Sequence, residues 1–246
     1  MGKELWKPGN MVYPLPAVMV SCADKEGHDN IITIAWTGTI CTNPAMLYIS
    51  VRPTRYSYHL IRESGEFVVN LTTKDLVKAT DWCGVRSGRD VDKWSEMHLT
   101  RGNAQTLIYA PIIEESPVNI ECQVVKVEEL GSHHMFLAKV TGVQVDDRFM
   151  QDNGKFALNK TGLLAYSHGE YFDLGKSLGT FGYSVKKKKK VTLRPMALYV
   201  VCVLLVVLVV VYIGFGIFFQ KRFGFGTTVD GIKVGGKTVE EVESQI

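Results

Sequence analysis

The chain lacks most of the landmarks by which an enzyme is recognised. Its 246 residues contain no G-x-G-x-x-G turn. A separate dinucleotide-binding domain for a pyridine nucleotide is therefore not expected. The five cysteines (Cys22, Cys41, Cys83, Cys122 and Cys202) are odd in number, and none form a C-x-x-C pair. That argues against a disulfide framework or a zinc site and for reduced thiols in the cytosol. No histidine or acid stands beside Cys83 in the pattern of an activated nucleophile, so a packing role is expected for it. Gly175-Lys176-Ser177-Leu178-Gly179 spells a nucleophile elbow, but no buried strand precedes it and no helix follows, so the match reads as chance. Neighbouring histidines such as His133 and His134 seldom face one ion, and no third ligand is near, so no metal is expected. No basic stripe with interleaved aromatics appears, which argues against nucleic acid as a partner. The opening MGKELWKPGN has no apolar core for a signal peptide and no serine or threonine for myristoylation.

What the chain does have is a dense stretch from Asn30 to Leu71 that reads strand, turn, strand, helix, strand. Ile31 to Thr37 is β-rich with apolar residues on both faces, as in a buried strand. Asn43-Pro44 breaks the pattern, and Met46 to Arg52 is a second strand. A helix follows, with Thr54 as its N-cap, an end near Ser64 and Gly65 as the residue after it. Glu66 to Leu71 resumes a strand. A helix N-terminus flanked by Arg52, Arg55 and Ser57 suits a phosphate, because free N–H groups, the helix dipole and bidentate arginine all favour an anion. On spacing alone, an ordinary solvated helix start with two surface arginines explains the same residues at least as well.

Around this stretch the chain is mostly β. Met11 to Ala23 pairs with Ile31 to Thr37 across the polar turn Asp24 to Asp29. Thr73 caps a helix to about Trp82, with Leu76, Val77 and Ala79 on one side. Leu107 to Glu115, Val118 to Leu130 and His133 to Val145 read as further strands, the last two joined at Gly131-Ser132. Many strands with Gly- and Pro-marked turns and only short helices point to an antiparallel β-barrel.

After Val185 the composition changes. Lys186 to Lys190 and Arg194 precede an uncharged run from Met196 to Phe219. As a helix that run would span about 36 Å, enough for a bilayer, and it has no polar face. Only Lys221 and Arg222 follow it closely, so the positive-inside rule places the N-terminal part in the cytoplasm. The expected division is 1–188 for the barrel, 189–195 for a basic linker, 196–219 for a transmembrane helix and 220–246 for a short, truncated extracytoplasmic tail.

Four segments, PLPAVMVSCADKEGHDNIITIAW, IITIAWTG, SVRPTRYS and SGRDVDKW, resemble the flavin reductase-like family of FMN-binding split barrels, in its flavoredoxin-type branch. The resemblance covers about residues 1 to 188. It implies an antiparallel split barrel that binds FMN without a covalent link. It also implies a homodimer that takes electrons from NAD(P)H or a protein donor. By this resemblance IITIAWTG lies along the isoalloxazine ring, which brings in Ala35 and Trp36, and Asn30 just before it also contacts the cofactor. The amides near Thr37 and Gly38 would face the reduced ring. SVRPTRYS (Arg52, Arg55, Tyr56, Ser57) holds the phosphate, Lys93 reaches it as well, and His133 stands near the flavin edge. The family's acidic or polar residue after that histidine is replaced here by His134. For Trp36, plain core packing is the other reading. No protein side chain is expected to act as a catalytic acid or base. DGIKVGGKTVEE in the tail resembles the start of a peptidoglycan-binding domain that follows the membrane anchor in some L,D-transpeptidases and VanW-like proteins; no catalytic cysteine motif of those enzymes is present. The alternative reading is a non-catalytic flavin-binding or membrane-tethered protein, with the tail a fragment of a cell-wall enzyme.

Overall fold

Val18, Val20 and Cys22 alternate with Met19 and Ser21 along one strand, yet all five side chains are buried. A strand with two buried faces needs a core on each, and the computed structural model of the chain shows both. One core gathers Val20, Ile32, Ile49, Phe67, Cys122 and Phe136 inside a curled sheet. The other packs Met19 and Ile31 against Leu76, Cys83, Trp94 and Ile113 under a helical layer. The structure describes residues 1–186 and 195–244, and its contacts divide the chain into Met1–Ser177 and Leu178–Ile246.

The first unit contains β1 (Leu15–Pro16), β2 (Val18–Ala23), β3 (Asp29–Ile34), β4 (Thr37–Cys41), β5 (Met46–Val51), α1 (Tyr56–Ser64) and β6 (Glu66–Leu71). It continues with α2 (Val77–Val85), α3 (Lys93–Met97), β7 (Arg101–Gly102), β8 (Ile112–Ile113), β9 (Val118–Glu129), β10 (His134–Val145), β11 (Leu164–Ser167) and β12 (Glu170–Asp173). Seven strands form one antiparallel sheet in the order β3-β2-β6-β9-β10-β5-β4, and β1, β11 and β12 form a second. The long pair β9–β10 shifts register at Leu137/Ala138 and at Val140/Gly142. Such bulges bend and twist long strands, which lets the sheet curl into a split barrel. The expected fold class is the one observed.

Several local expectations need correction. The strand expected over Ile31 to Thr37 ends at Ile34. The chain turns at Ala35-Trp36, where the Thr37 N–H donates to the Ala35 carbonyl at 3.0 Å, and Thr37 opens β4. Arg55, not Thr54, occupies the N-cap of α1, with no side-chain capping bond; the left-handed Gly65 (φ 72°) ends the helix as expected. Thr73 precedes a 3₁₀ turn, Lys74–Leu76, and α2 then runs to Val85, past Trp82.

Of the strand expected over Leu107 to Glu115, only Ile112–Ile113 forms. Buried carboxylates have taken the amides a ladder would use. Glu66 accepts from the N–H groups of Ile108 and Tyr109, and Glu121 from those of Gln105 and Thr106. Burial alone would raise the Glu121 carboxyl, but bonds from Gln105, Thr106 and Gln144 hold it below the ordinary carboxylate range.

In the second unit, α4 (Pro195–Phe219) is apolar all round, and its Ala197–Phe219 portion, with mean hydropathy 3.2, is long and apolar enough to cross a membrane. Lys187 to Lys190 and Arg194, with most of the expected linker, lie outside the described residues. Beyond α4, β13 (Thr228–Val229) and β14 (Ile232–Lys233) make a hairpin, and α5 (Val239–Glu243) starts on a Thr238–Glu241 capping box. Val234 and Val242 are buried in this small fold.

Candidate functional site

Two adjoining cavities lie where β3 ends, sharing Ile32, Arg52, Arg55 and Gly84 in their walls. The first, of about 400 Å³, is a slot of the size small-molecule sites have. One wall is the backbone at the end of β3 and the bend after it, Ile32 to Trp36. That bend is held by the Ser50 N–H, which donates to the Trp36 carbonyl at 2.8 Å. Trp36 is left 37% exposed. Its ring lies parallel to that of His133, 2° apart in tilt and 6.2 Å between centres. Burial, then the charges of Arg52 and Arg55, lower the His133 pKa below that of an ordinary histidine, so the ring is neutral at pH 7.

The opposite side of the slot comes from Asp81, Gly84 and Val85 on α2 and from Tyr166, Gly169 and Tyr171 on the β11–β12 hairpin. The Tyr171 hydroxyl donates to Asp81 at 3.3 Å. Gly84 brings α2 close to β3, since a Cβ there would stand 3.2 Å from that of Thr33.

The second cavity, of about 370 Å³, is cationic. Arg52, Arg55, Arg86, Arg89 and Lys93 line it, together with Asn30, Tyr56 and Ser57. Because α1 has no side-chain cap, its first amides are left for a ligand. Ser57 is buried and accepts from Asn30 Nδ2 at 2.8 Å. Lys93 is only 3% exposed. It stands at the start of α3, after Asp92 caps that helix by accepting from the Trp94 N–H. Its ammonium donates to the carbonyls of Ile31 and Cys83, each at 2.7 Å. Two of its three donors are so occupied, and the third remains for the cavity. Burial lowers its pKa to about 8.

The structure thus brings together nine of the expected site residues. Ala35, Trp36 and His133 line the slot, Asn30, Tyr56, Ser57 and Lys93 line the cationic cavity, and Arg52 and Arg55 line both. Thr37 and Gly38 line neither. They lie in β4, opposite Ile49 and Tyr48, and Thr37 Oγ1 donates to the Tyr48 carbonyl at 2.6 Å. With the Thr37 amide already bonded to Ala35, its expected donation to a reduced ring is not available here.

Sequence reading missed the α2 and hairpin wall of the slot. It also missed Arg86 and Arg89. Arg89 belongs to the SGRDVDKW block, whose lysine alone is expected at the phosphate. Cys83 is fully buried with its pKa raised to about 11 by burial, which suits packing and not attack. Among the described residues, no group of three His, Cys, Asp or Glu side chains is placed to hold a metal.

A slot beside an aromatic side chain, joined to a pocket lined by cations, suits a heterocycle with a phosphate tail, and known proteins point the same way. The chain is 32% identical over 167 residues to an uncharacterised protein of Archaeoglobus fulgidus, covering 68% of this chain and 91% of that one. It superposes on the flavoredoxin of Desulfovibrio vulgaris (Miyazaki F) with TM-score 0.69 and 28% identity, over 76% of this chain and all of that one. The flavoredoxin of Methanosarcina acetivorans gives 0.68 and 27%, over 75% and 100%. The family described as "Flavin reductase like domain" matches residues 11–175, most of the chain, and the chain belongs to that family of flavin-linked oxidoreductases.

Proposed function

We propose that the chain is an FMN-dependent oxidoreductase, passing electrons from NAD(P)H or a protein donor through a non-covalently held flavin. The observation that carries this reading is the shared wall of the two cavities, because Arg52 and Arg55 border both. One ligand with a flat head and an anionic tail then reaches into both spaces. In this reading Trp36 and His133 flank the ring. Ser57, the first amides of α1, Arg52, Arg55 and Lys93 hold the phosphate, and Asn30 orients the Ser57 hydroxyl.

Bound flavin supplies the redox chemistry, and the protein controls its exposure and orientation. The neutral His133 withholds positive charge from its end of the slot. The Tyr171–Asp81 pair holds the hairpin against α2 and so limits water at the other end. No side chain is asked to act as an acid or base.

We take the working unit to be a homodimer, on the family resemblance, with α4 as a membrane tether and the barrel on the cytoplasmic side. Sedimentation in detergent tests the dimer; a flavin-loaded monomer would remove it. The test of function is an absorbance spectrum of the purified full chain, then NAD(P)H oxidation with added FMN. Bound yellow chromophore with turnover is expected. Chromophore without turnover would mean a flavin-binding protein only, and failure to bind added FMN would refute the reading.

A further inference from the structure

The cationic cavity has more charge than one flavin phosphate uses. Five cations line it, whereas a phosphate monoester carries about two negative charges at neutral pH. Among the described residues, no carboxylate forms an ion pair with Arg52, Arg55, Arg86 or Arg89; the arginines so paired are Arg101, Arg148 and Arg222. Like charges held together without counter-ions repel one another, so a cluster of this kind is built for an anion. The cavity's 370 Å³ is about a dozen waters' share of liquid volume, far more than a phosphate's five heavy atoms fill.

The surplus is localised. Lys93 and Ser57 are buried on the floor, whereas Arg86 and Arg89 are exposed on the loop that follows α2. That loop is held in place. A Cβ on Gly88 would lie 2.2 Å from Asn30 Oδ1 and 2.9 Å from the Tyr56 ring, so only glycine lets the loop sit this close to the floor. The Arg89 N–H donates to Ser87 Oγ, Arg89 Nη1 donates to the Thr54 carbonyl at 3.3 Å, and its guanidinium lies 5.8 Å from the centre of the Tyr56 ring. The two arginines are thus presented on the exposed side of the cavity, outward of the buried Lys93 and Ser57, and unlike the equally exposed Arg52 and Arg55 they do not border the slot.

From this we infer that Arg86 and Arg89 form a second phosphate subsite at the mouth of the cavity, for a phosphate beyond that of FMN. The inference rests on the flavin-phosphate reading above. Two sources carry such a group on a molecule that also reaches the slot: the distal phosphate of FAD and the 2′-phosphate of NADPH.

The experiment uses the full chain in detergent, stripped of flavin, and compares wild type with the Arg86→Gln/Arg89→Gln double variant. Both side chains are exposed, so folding should be unaffected, and the Arg→Lys pair serves as a control that keeps the charge. Binding of FMN and FAD is followed by flavin fluorescence, with inorganic pyrophosphate as a competitor. Losing charge-assisted bonds should weaken FAD and pyrophosphate by about tenfold or more, with FMN changed less than about threefold. If FAD is also unchanged but the KM for NADPH rises while that for NADH does not, the second phosphate belongs to NADPH and the subsite stands. Equal losses for FMN and FAD would overturn the inference, because the arginines would then serve the FMN phosphate itself. No change with any ligand would overturn it too. Wild-type protein that binds no FMN would instead refute the flavin reading.

Discussion

Lys93 makes FMN affinity depend on pH in a way that can be worked out from its surroundings. Its ammonium is buried and its pKa lies near 8. A phosphate dianion beside it would restore the value toward that of an ordinary lysine, about 10.4. In the free protein the group is then about nine-tenths charged at pH 7 and about one-tenth charged at pH 9. The phosphate itself, with a second pKa near 6, keeps its charge across that range. FMN binding should therefore weaken by roughly tenfold from pH 7 to pH 9, about 1.4 kcal/mol. Riboflavin lacks the phosphate and should show no such slope.

Stability of the flavin-free protein should move the opposite way. The unfolded chain keeps this proton to about 10.5 and the folded one releases it near 8. Between those values the unfolded state binds more protons, so stability rises with pH. Lys93→Met should abolish both trends. It should also weaken FMN at pH 7 by about 1.5–3 kcal/mol and leave the Ile31 and Cys83 carbonyls without their donor. Fluorescence titration of FMN and riboflavin at pH 7, 8 and 9 decides the matter. A flat FMN profile, or the same slope for riboflavin, would refute the assignment of Lys93 to the phosphate.

Trp36→Leu should weaken riboflavin and FMN alike, by roughly 0.5–1.5 kcal/mol for a lost aromatic contact, and a loss confined to FMN in the same titration would contradict its place beside the ring. Glu121→Ala removes a buried carboxylate from four donors and should cost at least about 1–3 kcal/mol in denaturant unfolding, the penalty of a buried donor left unpaired; a loss below about 1 kcal/mol would show that the 103–110 loop is held by something else. Because the Glu121 pKa is held low, its contribution should be complete above the unfolded value of about 4.5 and fade as pH falls below it. Each central apolar residue of α4 favours insertion by a few tenths of a kcal/mol, so the whole chain should resist carbonate extraction from membranes. A chain cut after Val185 should be soluble and still yellow. Recovery of the whole chain in the soluble fraction would sink the membrane assignment.

The sequence showed most clearly those features that depend on local pattern. Paired apolar faces in Val18–Ala23 and Ile31–Ile34, the turn before Asn30 and the Gly65 stop are written in neighbouring residues, and all appear in the fold. The misread segments are those where a distant group outbid the local one. Leu107 to Glu115 has strand composition, but Glu66 on another strand captures its Ile108 and Tyr109 amides, and Glu121 on a third those of Gln105 and Thr106 just before it. No window around residue 107 contains that information. The bend at Ala35-Trp36 is similar, since it depends on a bond from Ser50 on β5.

The site divides along the same line. Its α1 side was legible because helix start, arginines and serine lie within six residues, Arg52 to Ser57. Its far wall was not, because Asp81 and Tyr171 meet across ninety residues of chain. Arg86 and Arg89 fall between these cases. Nothing about two exposed arginines in a polar loop marks them as a site, and what does so is Gly88, whose missing side chain lets their loop rest on Asn30 and Tyr56. The cost of filling that space is the measure of how firmly the loop is placed. Gly88→Ala would force a 2.2 Å contact apart, which should move both arginines outward while Lys93, held by two carbonyls on the floor, stays where it is.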